Sequence, residues 1–325
     1  MSVQMFLFAT SILLTRSAAS RRVLRSLLST ITPCEYSGLK IAVLAAASDH
    51  GCLTMLKHLP AEAQVLAQGE DIDALKADNP RFTEAECLLV VSGNGGKVQG
   101  VIQAMPRLKW IHGIFAGLDH MRCPEFDNCT SERGVVVSNA KGIFSSSLAE
   151  WILGAAWYFN KDIPRLNANK EAKNYDRYTV GEMRGKTMGI IGYGDIGRAV
   201  AKLANAYGMK VVAHRRRPEL SKDDTLIDEI HGNDGIRTVM QKSDFLVVAA
   251  ALTEQTKGMI GRSELQAAKV GQVFMNVGRG QLIDENALIE ALQKGDRIAY
   301  AALDVFATEP LPKSSPIWTL PNVRT

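Results

Sequence analysis

Acidic residues are missing from the first 34 positions, which also hold no lysine; the only charges there are Arg16, Arg21, Arg22 and Arg25, set among Ser, Thr, Leu and Ala. A leader that is Arg-rich, Ser-rich and free of acids has the composition of an organelle transit peptide. Residues 1–38 are therefore expected to be a targeting segment, removed on import, with the mitochondrion ahead of the plastid as destination. A cytoplasmic protein is expected if the segment carries no address, and a disordered tail left in place is the remaining alternative. Met5 to Leu14 competes as a secretory core, but no charge precedes it and it is too short to span a bilayer. No other run approaches membrane-spanning length, so no membrane partner is expected.

Cysteine is scarce and oddly numbered: Cys34, Cys52, Cys87, Cys123 and Cys129, with no CxxC pair. This argues against a zinc site or a disulfide framework and fits a reducing compartment. No metal is expected. An excess of positive charge is also lacking once the leader is set aside, because removing its four arginines from the 38 basic residues leaves 34 against 34 acidic ones. A neutral body offers no nucleic-acid surface. With 325 residues, 46% hydrophobic and 22% charged, the chain has room for two domains of ordinary soluble composition.

One further absence is local. The apolar run Met188 to Ile191 leads into Gly192, Gly194 and Gly197, a GxGxxG that opens an amphipathic helical pattern. Strand, glycines and helix in that order form a dinucleotide-binding turn: the first glycine permits the tight turn, the second lets backbone approach a pyrophosphate, and the third lets helix and strand pack closely. The next strand, Lys210 to His214, would end in an Asp or Glu in a site selective for NAD, and here it ends in Arg215, Arg216 and Arg217. Guanidinium groups there can form paired, charge-assisted bonds to the 2′-phosphate of NADP. NADP(H) is therefore expected over NAD(H), which stays possible; a solvated basic turn is the alternative.

Apolar runs at Lys40 to Ala46, Cys87 to Val91, Leu108 to Ile114 and Val135 to Val137 suggest a first α/β unit over residues 39–140. A second unit, 141–325, opens with Ser147 to Glu150 read as a capping box before a helix Leu148 to Phe159. The charged stretch Asn160 to Lys186 follows, and strands then alternate with helices: Met188 to Ile191, Lys210 to His214, Asp244 to Ala250, Gln272 to Val277, and Ile298 to Leu303, with a helix at Asp284 to Gln293. The expected fold class is α/β: two Rossmann-like or flavodoxin-like domains, each a doubly wound parallel sheet with helices on both faces. Ligands in such sheets bind beyond the carboxyl ends of the strands. Three of those ends carry unusual residues, namely Arg279 between glycines, Asp304 after Leu303, and Glu309 before Pro310. An arginine there can grip a small anion, and a carboxylate can act as a base or orient a histidine.

GYGDIG, NVGRGQLIDENAL, ALDVFATEPLP and SPIWTLPNV together resemble the D-isomer-specific 2-hydroxyacid dehydrogenases, a group that includes glyoxylate/hydroxypyruvate reductases. The resemblance runs from about residue 39 to the end and is strongest after 140. It implies an NAD(P)-dependent oxidoreductase that transfers hydride to a small 2-keto acid such as glyoxylate or hydroxypyruvate, or back from the 2-hydroxy acid. It implies that Arg279 binds the substrate carboxylate and carbonyl, that Glu309 pairs with a catalytic histidine, and that Asp304 faces the nicotinamide carboxamide. Gly192, Gly194, Asp195, Ile196 and Gly197 would hold the pyrophosphate, Arg215 and Arg216 the adenosine ribose, and Ala250, Val277 and Gly278 would line the cleft. Ala116, Gly117 and Leu118, within Phe115 to Asp119, resemble the loop whose amides bind the substrate carboxylate. A homodimer formed through the helix near 148–159 and the arm after it is implied as well.

Two departures stand out. The family histidine follows the strand that Asn322 to Arg324 begins, and Thr325 is the last residue here. Expected explanations are an incomplete product of a gene for a full enzyme, or a short form with little turnover; the alternative function is a non-catalytic nucleotide-binding or sensor protein on the same fold. Ala251-Leu252-Thr253 stands where the family has Pro-Leu-Thr, which frees one φ and keeps the threonine.

Overall fold

The computed structural model describes residues 38–325, so the expected targeting segment lies outside the described residues. The described chain divides into two compact units, one ending at Phe144 and the other covering Ser145–Thr325.

The first unit is built on a five-stranded parallel sheet in the order β2-β1-β3-β4-β5. Its strands are β1 (Leu39–Leu44), β2 (Ala63–Gly69), β3 (Cys87–Val90), β4 (Trp110–Gly113) and β5 (Val136–Asn139). Alternate residues of β1 feed two cores: Ala42 and Leu44 join Phe82, Leu88, Val101 and Ile111, while Ile41 and Val43 join Cys87 and Ile114 on the other face. That division is the period-2 rule applied to a strand covered on both sides.

The second unit holds a seven-stranded parallel sheet in the order β12-β11-β10-β9-β6-β7-β8. The strands are β6 (Thr187–Ile191), β7 (Lys210–His214), β8 (Glu229–His231), β9 (Phe245–Val248), β10 (Gln272–Asn276), β11 (Ile298–Leu303) and β12 (Val323–Arg324). All four residues of β9 and all five of β10 are buried, as expected for strands with helices on both faces. Chain order reverses between β6 and β9. This is the topological switch point, where parallel sheets of this kind open a crevice for a ligand.

Two sequence expectations are corrected. The helix expected at Leu148 spans Ser145–Asn160, so Ser147 lies inside its first turn and is not the N-cap. Three consecutive serines at 145–147 satisfy the same pattern in several registers. The charged stretch after Asn160 contains a further helix, Ile163–Glu171, started by Asp162, whose side chain accepts from the Arg165 N–H. None of its residues is buried, so no apolar periodicity marked it.

Candidate functional site

The glycine turn joins β6 to the helix Asp195–Ala206. Gly192 has φ +96°, and a Cβ built on it would lie 2.5 Å from the Ala250 amide nitrogen just beyond β9, so only glycine lets the two strand ends approach this closely. At Gly197 a Cβ would lie 2.9 Å from the Gly192 carbonyl oxygen. Gly194 is different: it is the N-cap of the helix, no side chain caps it, and a Cβ there meets nothing within 4 Å. The helix thus presents its first amides to open space, which is where a pyrophosphate fits.

At the end of β7 the three arginines differ. Arg216 and Arg217 are exposed, whereas Arg215 is half-buried and donates through Nη1 to the hydroxyl of buried Ser221. Beside this pair, Tyr193 of the glycine turn donates its hydroxyl to Asp224 Oδ2 at 3.1 Å, and Arg198 Nε reaches the same oxygen at 2.8 Å. Burial, followed by that carboxylate, raises the Tyr193 pKa and keeps the phenol protonated. His214, the last residue of β7, is 5% exposed, and neither ring nitrogen has a hydrogen-bond partner. Its pKa is lowered by burial and then by His231 opposite it in β8.

Beyond β10 the chain turns tightly. Asn276 is 1% exposed; its Oδ1 accepts from the Gly278 N–H and its Nδ2 donates to the Arg279 carbonyl, both at 3.0 Å. The turn that carries Arg279 is therefore closed by one buried amide. Val277 and Gly278 are buried within it, and the half-buried Arg279 donates through Nη1 to the Gly278 carbonyl at 2.9 Å. Asp304, 9% exposed, follows β11, and its amide continues the ladder to the Asn276 carbonyl at 3.0 Å. Glu309 is exposed, and its Oε1 accepts from the Phe306 N–H at 2.9 Å. The glycine turn, Arg215, Ala250, Arg279, Asp304 and Glu309 all lie beyond the carboxyl ends of strands in one sheet.

In the first unit, Phe115 to Asp119 forms a loop after β4. Asn139 Nδ2 donates to the Ala116 carbonyl at 2.7 Å, and the Phe115 carbonyl accepts from the Ala140 N–H at 3.0 Å. Ala116 is exposed, Gly117 and Leu118 half-buried.

Sequence reasoning did not single out Ser221, Asn276, Gln281 or Glu285. Ser221 and Asn276 act over short range, and an Asn directly before Val-Gly-Arg-Gly was a readable signal for the turn. Gln281 and Glu285 reach Ala307, 26 and 22 residues away, and no spacing in the sequence announces such a contact.

Residues 153–325 match the family described as D-isomer specific 2-hydroxyacid dehydrogenase, NAD binding domain. The chain belongs to that family. It is 33% identical over 269 residues to glyoxylate/hydroxypyruvate reductase B of Pectobacterium atrosepticum, covering 78% of each chain. It is 35% identical over 246 residues to D-3-phosphoglycerate dehydrogenase of Methanocaldococcus jannaschii, covering 75% of this chain and 45% of that one, so it spans under half of that relative's length. Among solved structures, a D-isomer specific 2-hydroxyacid dehydrogenase from Xanthobacter autotrophicus Py2, in complex with NADPH and MES, superposes with a TM-score of 0.72 at 26% identity, covering 89% of this chain and 87% of that one. The two parallel sheets follow the α/β architecture of the family.

Proposed function

We propose that this chain is an NADP(H)-dependent reductase of small 2-keto acids of the size of glyoxylate or hydroxypyruvate. One observation carries the reading: Arg279, Asp304 and Glu309 stand at the ends of adjacent strands in the sheet whose switch point bears the open glycine turn. The coenzyme choice rests on Arg215 and Arg216, with Ser221 fixing Arg215 from behind, and on the NADPH-bound relative.

The amides at Asp195 and Ile196 would hold the pyrophosphate, with Gly194 letting it approach the backbone, Arg215 and Arg216 would hold the 2′-phosphate, and Asp304 the carboxamide. When bound, the nicotinamide supplies the hydride that the carbonyl carbon takes up. Arg279 grips the substrate carboxylate and carbonyl oxygen, and so stabilises the alkoxide as its charge develops. In the first unit, the resemblance makes the amides of Ala116, Gly117 and Leu118 the candidates for binding a substrate carboxylate. The family resemblance assigns the proton to a histidine that Glu309 would orient.

The test has two arms. The 325-residue chain is titrated with NADPH by nicotinamide fluorescence, and a chain continued through the histidine is assayed for NADPH oxidation with glyoxylate and hydroxypyruvate. Absence of NADPH binding in the first arm removes the cofactor reading. Binding without keto-acid-dependent oxidation in the second favours the other reading, a non-catalytic nucleotide-binding or sensor protein.

We also propose a homodimer formed through the Ser145–Asn160 helix and the arm after it, where Trp157, Leu166 and Tyr175 are 44%, 51% and 87% exposed. Light scattering that finds only monomer at micromolar concentration would exclude it. Mitochondrial import is proposed from the composition of residues 1–38, and a reporter fused to that segment that stays in the cytosol would refute it.

A further inference from the structure

The loop after β11 is seized from the side by residues outside the substrate and cofactor set. The helix Glu285–Lys294 begins at Asp284, whose side chain already caps it by accepting from the Ala287 N–H at 3.0 Å. Glu285, the next residue, is thereby released from capping, and its Oε2 accepts from the Ala307 N–H at 2.9 Å. From the short turn Gly280–Leu282 that precedes it, Gln281 Nε2 donates to the carbonyl of the same residue at 3.0 Å. Both polar groups of Ala307 are therefore held by side chains that follow Arg279 within six positions. Gly280 makes this possible, because a Cβ there would fall 1.8 Å from the Phe306 carbonyl carbon. The Arg279 turn and the segment from Asp304 to Glu309 lie backbone against backbone, with Glu285 and Gln281 as the clasp.

We infer that Glu285 is a positioning residue: by holding Ala307 it keeps the Asp304–Glu309 segment in register with the Arg279 turn, and so sets the nicotinamide end of the site without touching the ligand. This rests on the cofactor assignment proposed above. Its action is local to β10 and β11, while the glycine turn and Arg215 hold the adenosine end from β6 and β7. Losing Glu285 therefore weakens recognition of the nicotinamide half and spares the adenosine half. The interaction needs an acceptor oxygen, not a charge, so glutamine serves and alanine does not.

The experiment compares the unchanged chain with Glu285→Ala and Glu285→Gln in binding NADPH and the fragment 2′-phospho-ADP-ribose, which lacks nicotinamide. Amide hydrogen exchange is followed across 304–309. A side-chain-to-backbone hydrogen bond of this kind is worth about a tenfold change in an equilibrium constant. Glu285→Ala is expected to weaken NADPH about tenfold, to leave the fragment within about twofold, and to speed exchange at Ala307. Glu285→Gln is expected to match the unchanged chain in all three. Equal losses for NADPH and fragment, unchanged NADPH binding in Glu285→Ala, or a Glu285→Gln as weak as Glu285→Ala each overturn the inference. An unchanged chain that binds neither ligand overturns the cofactor assignment itself, a result distinct from the others.

Discussion

At the residue scale, charge and burial at the end of β7 make two predictions. Arg215 is anchored by Ser221, whereas Arg216 and Arg217 extend into solvent, so the three do not carry equal weight. An anchored guanidinium loses less rotamer freedom on binding a phosphate than a free one. Arg215→Asp is expected to weaken NADPH by at least about tenfold and to weaken NADH far less, because a carboxylate repels the 2′-phosphate and accepts from a 2′-hydroxyl. Fluorescence titration with both nucleotides reads the difference, and an equal loss for the two would contradict it. His214 makes the second prediction. Its pKa is lowered in the folded chain, chiefly by burial, so the native state keeps it neutral while the unfolded chain takes up a proton below about pH 6.5. The stability it contributes is complete above that pH and is lost as pH falls toward the folded-state value. Urea midpoints should therefore drop between pH 7 and 5.5, and His214→Leu should flatten that drop. Part of the slope will persist, since burial shifts half-buried His112 in the same direction. A slope identical in His214→Leu would show that the ring is not its source.

At the scale of elements, the glycine turn divides into glycines the fold needs and one it does not. Gly192 has a positive φ and touches the Ala250 backbone, so Gly192→Ala is strained and crowded at once and should cost about 2 kcal/mol or more. Gly194 has an ordinary φ of −109° and nothing within reach of a Cβ. Gly194→Val should fold with a melting temperature within a few degrees of the unchanged chain, yet lose most of its NADPH affinity, because the valine occupies the space the pyrophosphate would take. Thermal denaturation with and without NADPH separates the two effects, and a Gly194→Val chain that is still stabilised by NADPH would refute the prediction. Legibility followed the same division. Strands with continuous apolar runs, such as Met188 to Ile191 and Val273 to Met275, could be read because burial on both faces demands them. The edge strand Glu229–His231 could not, since one polar turn of sheet resembles any loop. The helix Ile236–Lys242, only seven residues long, offers less than two full turns of pattern.

For the whole molecule, the doubly wound class was legible because apolar strands alternating with helical patterns admit few other architectures. The strand order of the second sheet was not, because non-adjacent pairings such as β6 with β9 depend on packing between residues 57 positions apart, as in the Thr187 to Asp244 contact. The candidate site was legible where chemistry is tied to a motif and hidden where side chains hold backbone, as with Asn276, Gln281 and Glu285. In the Arg215–Ser221 clasp the last ladder bond runs from the Arg215 N–H to the His231 carbonyl, and from Arg216 to Ser221 the chain runs outside the sheet, tied back by the bond from the Arg215 side chain to the Ser221 hydroxyl. The stretch that would read the adenosine ribose is therefore a cartridge mounted on the sheet. A replacement of residues 215–221 of the same length, with an acid at 215, should seat in the same mount and favour NADH over NADPH while leaving the frame unaltered.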